Sequence, residues 1–342
     1  MFRYELASAT GLDGLRKVDF EPAPLGPTEV RIAPRAWSLN FRDLAMPRGG
    51  YPGNRKIQTD PPLVPLSDAA GEVVEVGAAV RRFAVGDRVC PCFFPDWVDG
   101  ELEESQLASA LGGAADGVLA ETVRLPEHGL VRMPANLSFE EAACLPCAAV
   151  TAWQALMLAR LTPGQTILTL GTGGVSIFAL QIAKLAGARV IITSSSDEKL
   201  ERARELGADA CINYATHPDW DVPAREWTGG VGVDNVIEVG GAGTLERSLR
   251  AARVSGAVSL IGILTSPEQN PSPMLALFKR LTIQGIYVGS RVMFEALCRA
   301  IEAGDLHPVI DKTFGCESVD DVRAAYQYLK SGSHFGKIVI AR

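Results

Sequence analysis

The sequence predicts an α/β protein in two parts: a doubly wound parallel sheet and a β-rich domain split around it in the chain. Three observations carry this. Between about residues 148 and 289, apolar strand-like runs alternate with amphipathic helical stretches, and repeated β-α units imply parallel strands joined by crossovers. Residues 1–125 instead hold short alternating segments, GEVVEVGAAV and RRFAVGDRV, punctuated by Gly-Asp turns, the pattern of antiparallel strands. The tail after residue 290 returns to two amphipathic helices, RVMFEALCRAIEAG and DDVRAAYQYLKSG, and a closing strand, KIVIA. Chain termini often lie close together. Residues 1–147 and 290–342 are therefore expected to form one discontinuous domain, with 148–289 inserted.

Taken in order, the prolines at 22, 24, 27, 34, 61, 62 and 65 predict loops rather than central strands. The charge-free run AACLPCAAVTAWQALMLA, Ala142 to Ala159, approaches the length of a membrane span. Pro146, Thr151 and Gln154 interrupt it and many of its residues are small, so a buried helix passing between domains is expected. Strands are predicted at 166–171, 188–193, 209–213, 233–239 and 256–263, and helices at about 174–186, 197–206 and 244–252.

A net charge of -7 argues against nucleic acid or an anionic membrane as the main partner. The opening MFRYELASAT has no apolar leader, which points to the cytoplasm. Seven scattered cysteines (90, 92, 144, 147, 211, 298 and 316) suit reduced thiols better than a disulfide framework.

The stretch ILTLGTGGVS places a strand, a glycine turn and a helix in succession. Gly171, Gly173 and Ser176 occupy the spacing G-x-G-x-x-G, with Ser third. Gly171 permits the tight turn, and Gly173 lets the backbone approach a pyrophosphate. The helix from residue 174 then directs its first N–H groups at that charge. Thr172, Gly174 and Val175 complete the expected dinucleotide cradle. An acid at the end of the second strand would hold a ribose 2′-OH and repel a 2′-phosphate. Here RVIITSSS ends in Thr193, Ser194, Ser195 and Ser196, and Asp197 and Glu198 come one step late. Ser195-x-x-Glu198 reads as a capping box. With Lys199 in the following first turn and Tyr214 closing the third strand, the pattern favours NADP(H).

Together LNFRD, LVPLSDAAGEVVEVG, FAVGDRV, LPCAAVTAWQAL, LGTGGVS, LGADACINY, TGGVGVDNVIEVGG and HFGKIVI resemble the medium-chain dehydrogenase/reductase superfamily, from about residue 25 to the end. The resemblance implies a GroES-like catalytic domain split around a Rossmann domain, with the active site in the cleft. It also implies that Lys199 and Tyr214 hold the 2′-phosphate. By position, Gly240 and Gly241, the stretch from Ile261 through Gly262 and Ile263 to Leu264, Cys147 and Lys337 lie near the cofactor.

Zinc-dependent members carry Cys-His where this chain has Asn40-Phe41, and Gly-His-Glu where it has Leu66-Ser67-Asp68. Catalytic zinc needs three N, S or carboxylate ligands. The corresponding positions supply Asn40, Ser67 and Cys147, so no metal is expected. Without a Lewis acid, reduction of an activated C=C or a quinone is easier to support than alcohol oxidation. Asn40, Arg42 and Tyr51 are the candidate donors, with Thr151 facing the nicotinamide. Arg42 has an alternative role in pairing with Asp43 or Asp68. The expected activity is zinc-independent transfer of hydride from NADPH to an α,β-unsaturated carbonyl or quinone. The alternatives are a zinc-free alcohol/aldehyde dehydrogenase and a non-catalytic NADP(H)-binding protein. The apolar strand LTIQGIYVG, residues 281–289, is an edge that needs protection, and similar reductases pair such edges into homodimers.

Overall fold

The computed structural model describes residues 1–7, 11–49, 61–262, 264–265 and 272–342. They divide into two units, Met1–Val150 with Gly289–Arg342, and Thr151–Val288.

The first unit contains β1 (Phe2–Leu6), β2 (Leu15–Asp19), β3 (Glu29–Ser38), β4 (Asp68–Val76), β5 (Arg88–Pro91), the short helix α1 (Glu104–Leu107), β6 (Val123–Pro126), β7 (Leu130–Arg132) and α2 (Phe139–Ala142). A one-turn π-helix over Leu145–Ala149 leads into α3 (Val150–Leu158), which carries the chain across the boundary. The expected single helix over 142–159 is thus divided. Pro146 occupies the opening of the π turn; it has no N–H to continue an α-helical ladder, and a wider turn accommodates it.

The second unit continues with β8 (Thr166–Thr169), α4 (Gly174–Leu185), β9 (Arg189–Ser194), α5 (Asp197–Glu205), β10 (Ala210–Asn213), α6 (Asp221–Trp227), β11 (Val233–Glu238), α7 (Ala242–Ala251), β12 (Ala252–Leu260), α8 (Pro273–Phe278) and β13 (Thr282–Gly285). The tail returns to the first unit with α9 (Arg291–Gly304), β14 (Ile310–Phe314), α10 (Val319–Ser331) and β15 (Lys337–Ala341).

Among the described residues the second unit holds a six-stranded sheet in the order β10-β9-β8-β11-β12-β13, and every pairing in it is parallel. This is the 3-2-1-4-5-6 order of a Rossmann sheet, whose ligands sit beyond the strand C-termini where the order reverses. Here that reversal lies between β8 and β11. All four residues of β8 and five of six in β9 are buried, as strands covered on both faces should be. Ile177, Phe178, Leu180 and Ile182 bury the inner side of α4. β13 is exposed along its whole length. Two helices, α6 and α8, were not expected, and β12 starts at Ala252 rather than 256.

The larger sheet of the first unit runs β14-β15-β3-β4-β5-β7, with β6 also on β3. Its core gathers Leu6, Val30, Ile32, Trp37, Val89, Tyr326, Ile338 and Ile340. Trp37 spends its indole N–H on the Val118 carbonyl at 2.6 Å, so a large ring is buried without an unmet donor. β15 pairs antiparallel with β3, Val339 opposite Ser38. That register positions the polar cluster described below.

Candidate functional site

The glycine turn follows β8 directly. Gly171 adopts a left-handed φ of +73°, which an L side chain rarely tolerates. Gly173 has an ordinary φ of -78° as the N-cap of α4, and an added Cβ would meet nothing within 4 Å. Backbone shape and internal packing therefore do not explain glycine at 173. The space is open, and the α4 N-terminus has no side-chain cap. Such N–H groups attract an anion, so the residues present fit a dinucleotide pyrophosphate. Ser176 takes the third position in earnest: its buried hydroxyl donates to the Leu170 carbonyl at 2.6 Å. Gly171 N–H donates to Thr193 Oγ1 at 3.2 Å, tying the turn to β9. Gly174 and Val175 open the helix, and Thr172 is buried within the turn.

Next to the turn, the C-terminal ends of β9 and β10 bring Ser194 and Tyr214 together: Tyr214 N–H donates to the Ser194 carbonyl at 3.0 Å. Ser194 is buried, Ser195 is exposed, and Tyr214 is 42% exposed. The cap of α5 is Ser196, whose Oγ accepts from Lys199 N–H at 3.3 Å. This corrects the expected capping box at Ser195: pairing of β9 with β10 extends to Ser194, so the cap falls one residue later, and the helix starts at residue 197 as expected. Lys199 is the third residue of that helix. Asp197, the nearest acid, accepts from Asn213 Nδ2 at 2.7 Å and is thereby engaged with β10. A surface hollow bounded by Asp197, Arg204, Cys211, His217 and Pro223 contains none of the predicted cofactor residues.

At the end of β11, the fully buried Glu238 organises the next turn. Its Oε1 accepts from Gly240 N–H at 2.7 Å, Gly241 N–H at 2.9 Å and the Thr244 hydroxyl at 2.6 Å; its Oε2 accepts from the Ser248 hydroxyl. Sequence reasoning missed this residue, although a Glu directly before a Val-Gly-Gly turn was a visible signal. Gly262 is required by close packing, since a Cβ there would fall 1.8 Å from the Val239 carbonyl oxygen. Leu264 is exposed. Ile263 and Tyr51 lie outside the described residues.

In the first unit, Asn40 follows β3 and starts a 3-10 turn, Phe41–Leu44. Its N–H donates to Asp43 Oδ2 at 2.7 Å. Lys337 begins β15 and, by the β15–β3 register, lies beside Asn40. Its ammonium is buried, with Nζ 2.6 Å from the Leu39 carbonyl oxygen and 2.6 Å from Asn40 Oδ1. Arg42 donates through Nη2 to the Leu111 carbonyl and stacks its guanidinium 3.9 Å from the centre of the Phe93 ring. Arg42 makes no ion pair with Asp43 or Asp68 among the described residues. Asn40 Nδ2 and Arg42 Nε and Nη1 are buried and have no hydrogen-bond partner there. Burial pushes the Asp43 carboxyl up to about 6, against the opposing pull of Arg42 and the Asn40 N–H. Phe93, Phe94 and Trp97 are buried and pack edge to face.

Asp68 joins two further predicted positions, accepting the Ser67 hydroxyl at 2.6 Å through Oδ1 and the Cys147 N–H at 3.2 Å through Oδ2. Cys147 sits in the π turn, where the protein packed around its sulfur pushes the thiol up to about 12. Thr151, buried at the start of α3, opens the second unit. The positions that hold zinc in zinc-type relatives thus offer a carboxamide, a hydroxyl already donated to Asp68, and a protonated thiol, with an ammonium against the carboxamide. Zinc prefers thiolate, imidazole or carboxylate, and this donor set does not fit the ion. Among the described residues no three His, Cys, Asp or Glu side chains form a metal-binding group.

Two family models match the chain: the alcohol dehydrogenase GroES-like domain over residues 26–135, and the zinc-binding dehydrogenase over residues 174–303. A zinc-type alcohol dehydrogenase-like protein of Schizosaccharomyces pombe is 45% identical over 339 residues, covering 97% of this chain and 96% of that one. The chain belongs to the medium-chain dehydrogenase/reductase superfamily. Within this superfamily, an acryloyl-coenzyme A reductase of Metallosphaera sedula is 30% identical over 323 residues, 91% of this chain and 92% of its own. A crystal structure from Sinorhizobium meliloti 1021 described as an alcohol dehydrogenase matches with a TM-score of 0.90 and 40% identity, over 100% of this chain and 99% of that one. The protein is therefore an oxidoreductase of a superfamily that works with nicotinamide dinucleotides.

Proposed function

We propose that this chain is a zinc-independent reductase that uses NADPH to reduce α,β-unsaturated carbonyls or quinones in the cytoplasm, with residues 148–289 binding the cofactor and the remainder acting on the substrate. The observation that carries the reading is the set of buried donors without acceptors, Asn40 Nδ2 with Arg42 Nε and Nη1. Unspent buried donors are costly to a fold, and an oxygen atom of a substrate satisfies them. Reduced nicotinamide supplies a hydride. As the substrate's β-carbon accepts it, the C=C pair shifts toward the carbonyl oxygen, and the Asn40 and Arg42 N–H groups stabilise the enolate that develops. Water returns the proton. Tyr51 and Thr151 remain candidates to orient the reacting groups, and Cys147 is assigned to packing near the cofactor.

For the cofactor, Gly171 to Val175 would cradle the pyrophosphate. Ser194, Ser195, Lys199 and Tyr214 would hold the 2′-phosphate. Support comes from Asp197, which is hydrogen-bonded to Asn213. Gly240, Gly241, Gly262, Ile263 and Leu264 would border the nucleotide.

The alcohol dehydrogenase names of two of the relatives favour a second reading, carbonyl reduction to an alcohol by protein groups alone. Protein dialysed against a chelator and supplied with NADPH and a panel of enones, quinones and aldehydes separates the two. A saturated ketone or hydroquinone supports the first reading. Alcohol as the sole product, or a requirement for added zinc, overturns it. NADPH binding with no turnover across the panel would favour a non-catalytic binding protein.

We also propose a homodimer through β13, whose four residues are exposed beside exposed Leu277 and Phe278. Sedimentation at micromolar concentration should give twice the chain mass, and a monomer would refute it.

A further inference from the structure

Lys337 was expected near the cofactor by position, and its hydrogen bonds tie it to Leu39 and Asn40. Val339 pairs with Ser38 in the antiparallel β15–β3 ladder, so two residues along each strand Lys337 comes beside Asn40. The side chain is 3% exposed, and Nζ donates to the Leu39 carbonyl and to Asn40 Oδ1, each at 2.6 Å. An ammonium has only donors. The carboxamide atom facing it must therefore be oxygen, and this fixes Nδ2 on the opposite side.

Asn40 is held a second time through its backbone N–H, which donates to Asp43 Oδ2 at 2.7 Å. Both attachments leave Nδ2 untouched, and it is buried with no partner among the described residues. A buried Lys is not needed merely to hold a loop; an apolar side chain fills such a space at less cost. A cation behind the carboxamide oxygen draws electron density from the amide and strengthens its N–H groups as donors, because linked hydrogen bonds polarise one another.

We propose that Lys337 is a positioning residue for Asn40: its ammonium clamps the carboxamide oxygen so that an Nδ2–H bond is presented to the substrate carbonyl oxygen. The lysine thus supplies, through one hydrogen bond, the positive charge that a metal ion supplies in zinc-type relatives. This rests on the proposed reductase reading. Arg42 contributes a second charge through its own N–H groups, and the two cations are separate supports for one developing oxyanion.

The test compares wild type, Lys337→Met, Lys337→Gln, Asn40→Ala and the double variant Lys337→Met/Asn40→Ala. For a carbonyl substrate that is turned over, Lys337→Met should lower kcat by about tenfold to a hundredfold, somewhat less than loss of a whole oxyanion donor. KM and the NADPH Kd should stay within about twofold, because the lost interaction belongs to the transition state. The double variant should be no slower than Asn40→Ala, since Lys337 acts only through that residue. Lys337→Gln keeps a donor without the charge and should fall between wild type and Lys337→Met; it also serves if Lys337→Met does not fold. Additive losses, or a weakened NADPH Kd with unchanged kcat, would overturn the proposal.

If NADPH binds but no carbonyl on the panel reacts, the reductase reading fails, and the side-chain amide signal of Asn40 decides this proposal alone. Assigned by its loss in Asn40→Ala, the 15N order parameter should be high in wild type and fall in Lys337→Met. An unchanged signal would overturn the clamp.

Discussion

Replacing Gly173 by alanine should separate the fold of this protein from its function. The residue has φ -78°, and an added Cβ has nothing within 4 Å, so the methyl group enters without a clash or backbone strain. Alanine is a poorer N-cap than glycine by about 0.5–1 kcal/mol. It also removes about 0.4–1 kcal/mol of unfolded-chain entropy, and the two nearly cancel. Gly171→Ala is the control. At φ +73° it forces a left-handed alanine, costing about 1–2 kcal/mol, or a Tm loss of about 1.5–3 °C for a chain of this length. Scanning fluorimetry should therefore show Gly173→Ala within about 1 °C of wild type, since its net cost is near zero. Its nucleotide affinity should fall at least about tenfold, equivalent to about 1.4 kcal/mol, because the methyl group occupies the approach of the pyrophosphate. A Gly173→Ala protein that binds nucleotide as wild type does would refute the cradle. One less stable than Gly171→Ala would refute the packing argument.

Two further outcomes follow from the same geometry. Lys199→Ala should weaken NADPH by about tenfold to a hundredfold, the value of a charge-assisted hydrogen bond, and leave NADH within twofold; equal losses for both in fluorescence titration would remove Lys199 from the phosphate pocket. Asp43 should give stability a definite pH dependence. Burial raises its folded carboxyl from the ordinary carboxylate range to about 6, so the fold is favoured by its proton. That contribution is complete below about pH 4 and is lost as pH rises through about 6, a change of about 3 kcal/mol. Urea titrations of wild type and Asp43→Asn between pH 4 and 7 should show wild type losing that much relative to the variant as pH rises, and parallel curves would contradict it.

The Rossmann unit was the most legible part of the sequence. Its central strands β8 and β9 are largely apolar runs, because both of their faces are covered, and each ends at a glycine or hydroxyl cluster. Helix α6 was missed because DVPAREW is short and carries Pro223. The start of α5 was read correctly, but its cap was misplaced by one residue because three consecutive serines are each able to cap, and only the β9–β10 pairing chooses among them. In the candidate site, the residue types at 40, 67 and 147 already suggested a poor zinc ligand set. Sequence could not reveal that Lys337 holds Asn40, since the two are 297 positions apart and meet only through the β15–β3 register. The donors left unspent at Asn40 and Arg42 were equally invisible, because burial is a property of the folded chain.

The most direct measurement is single-turnover reduction of but-3-en-2-one by chelator-treated protein with NADPH deuterated at the transferable C4 position, with the product analysed by mass spectrometry and NMR. The expected product is butan-2-one with one deuterium on the former β-carbon. Deuterium on the carbinol carbon of but-3-en-2-ol, or reaction only after zinc is restored, would contradict it.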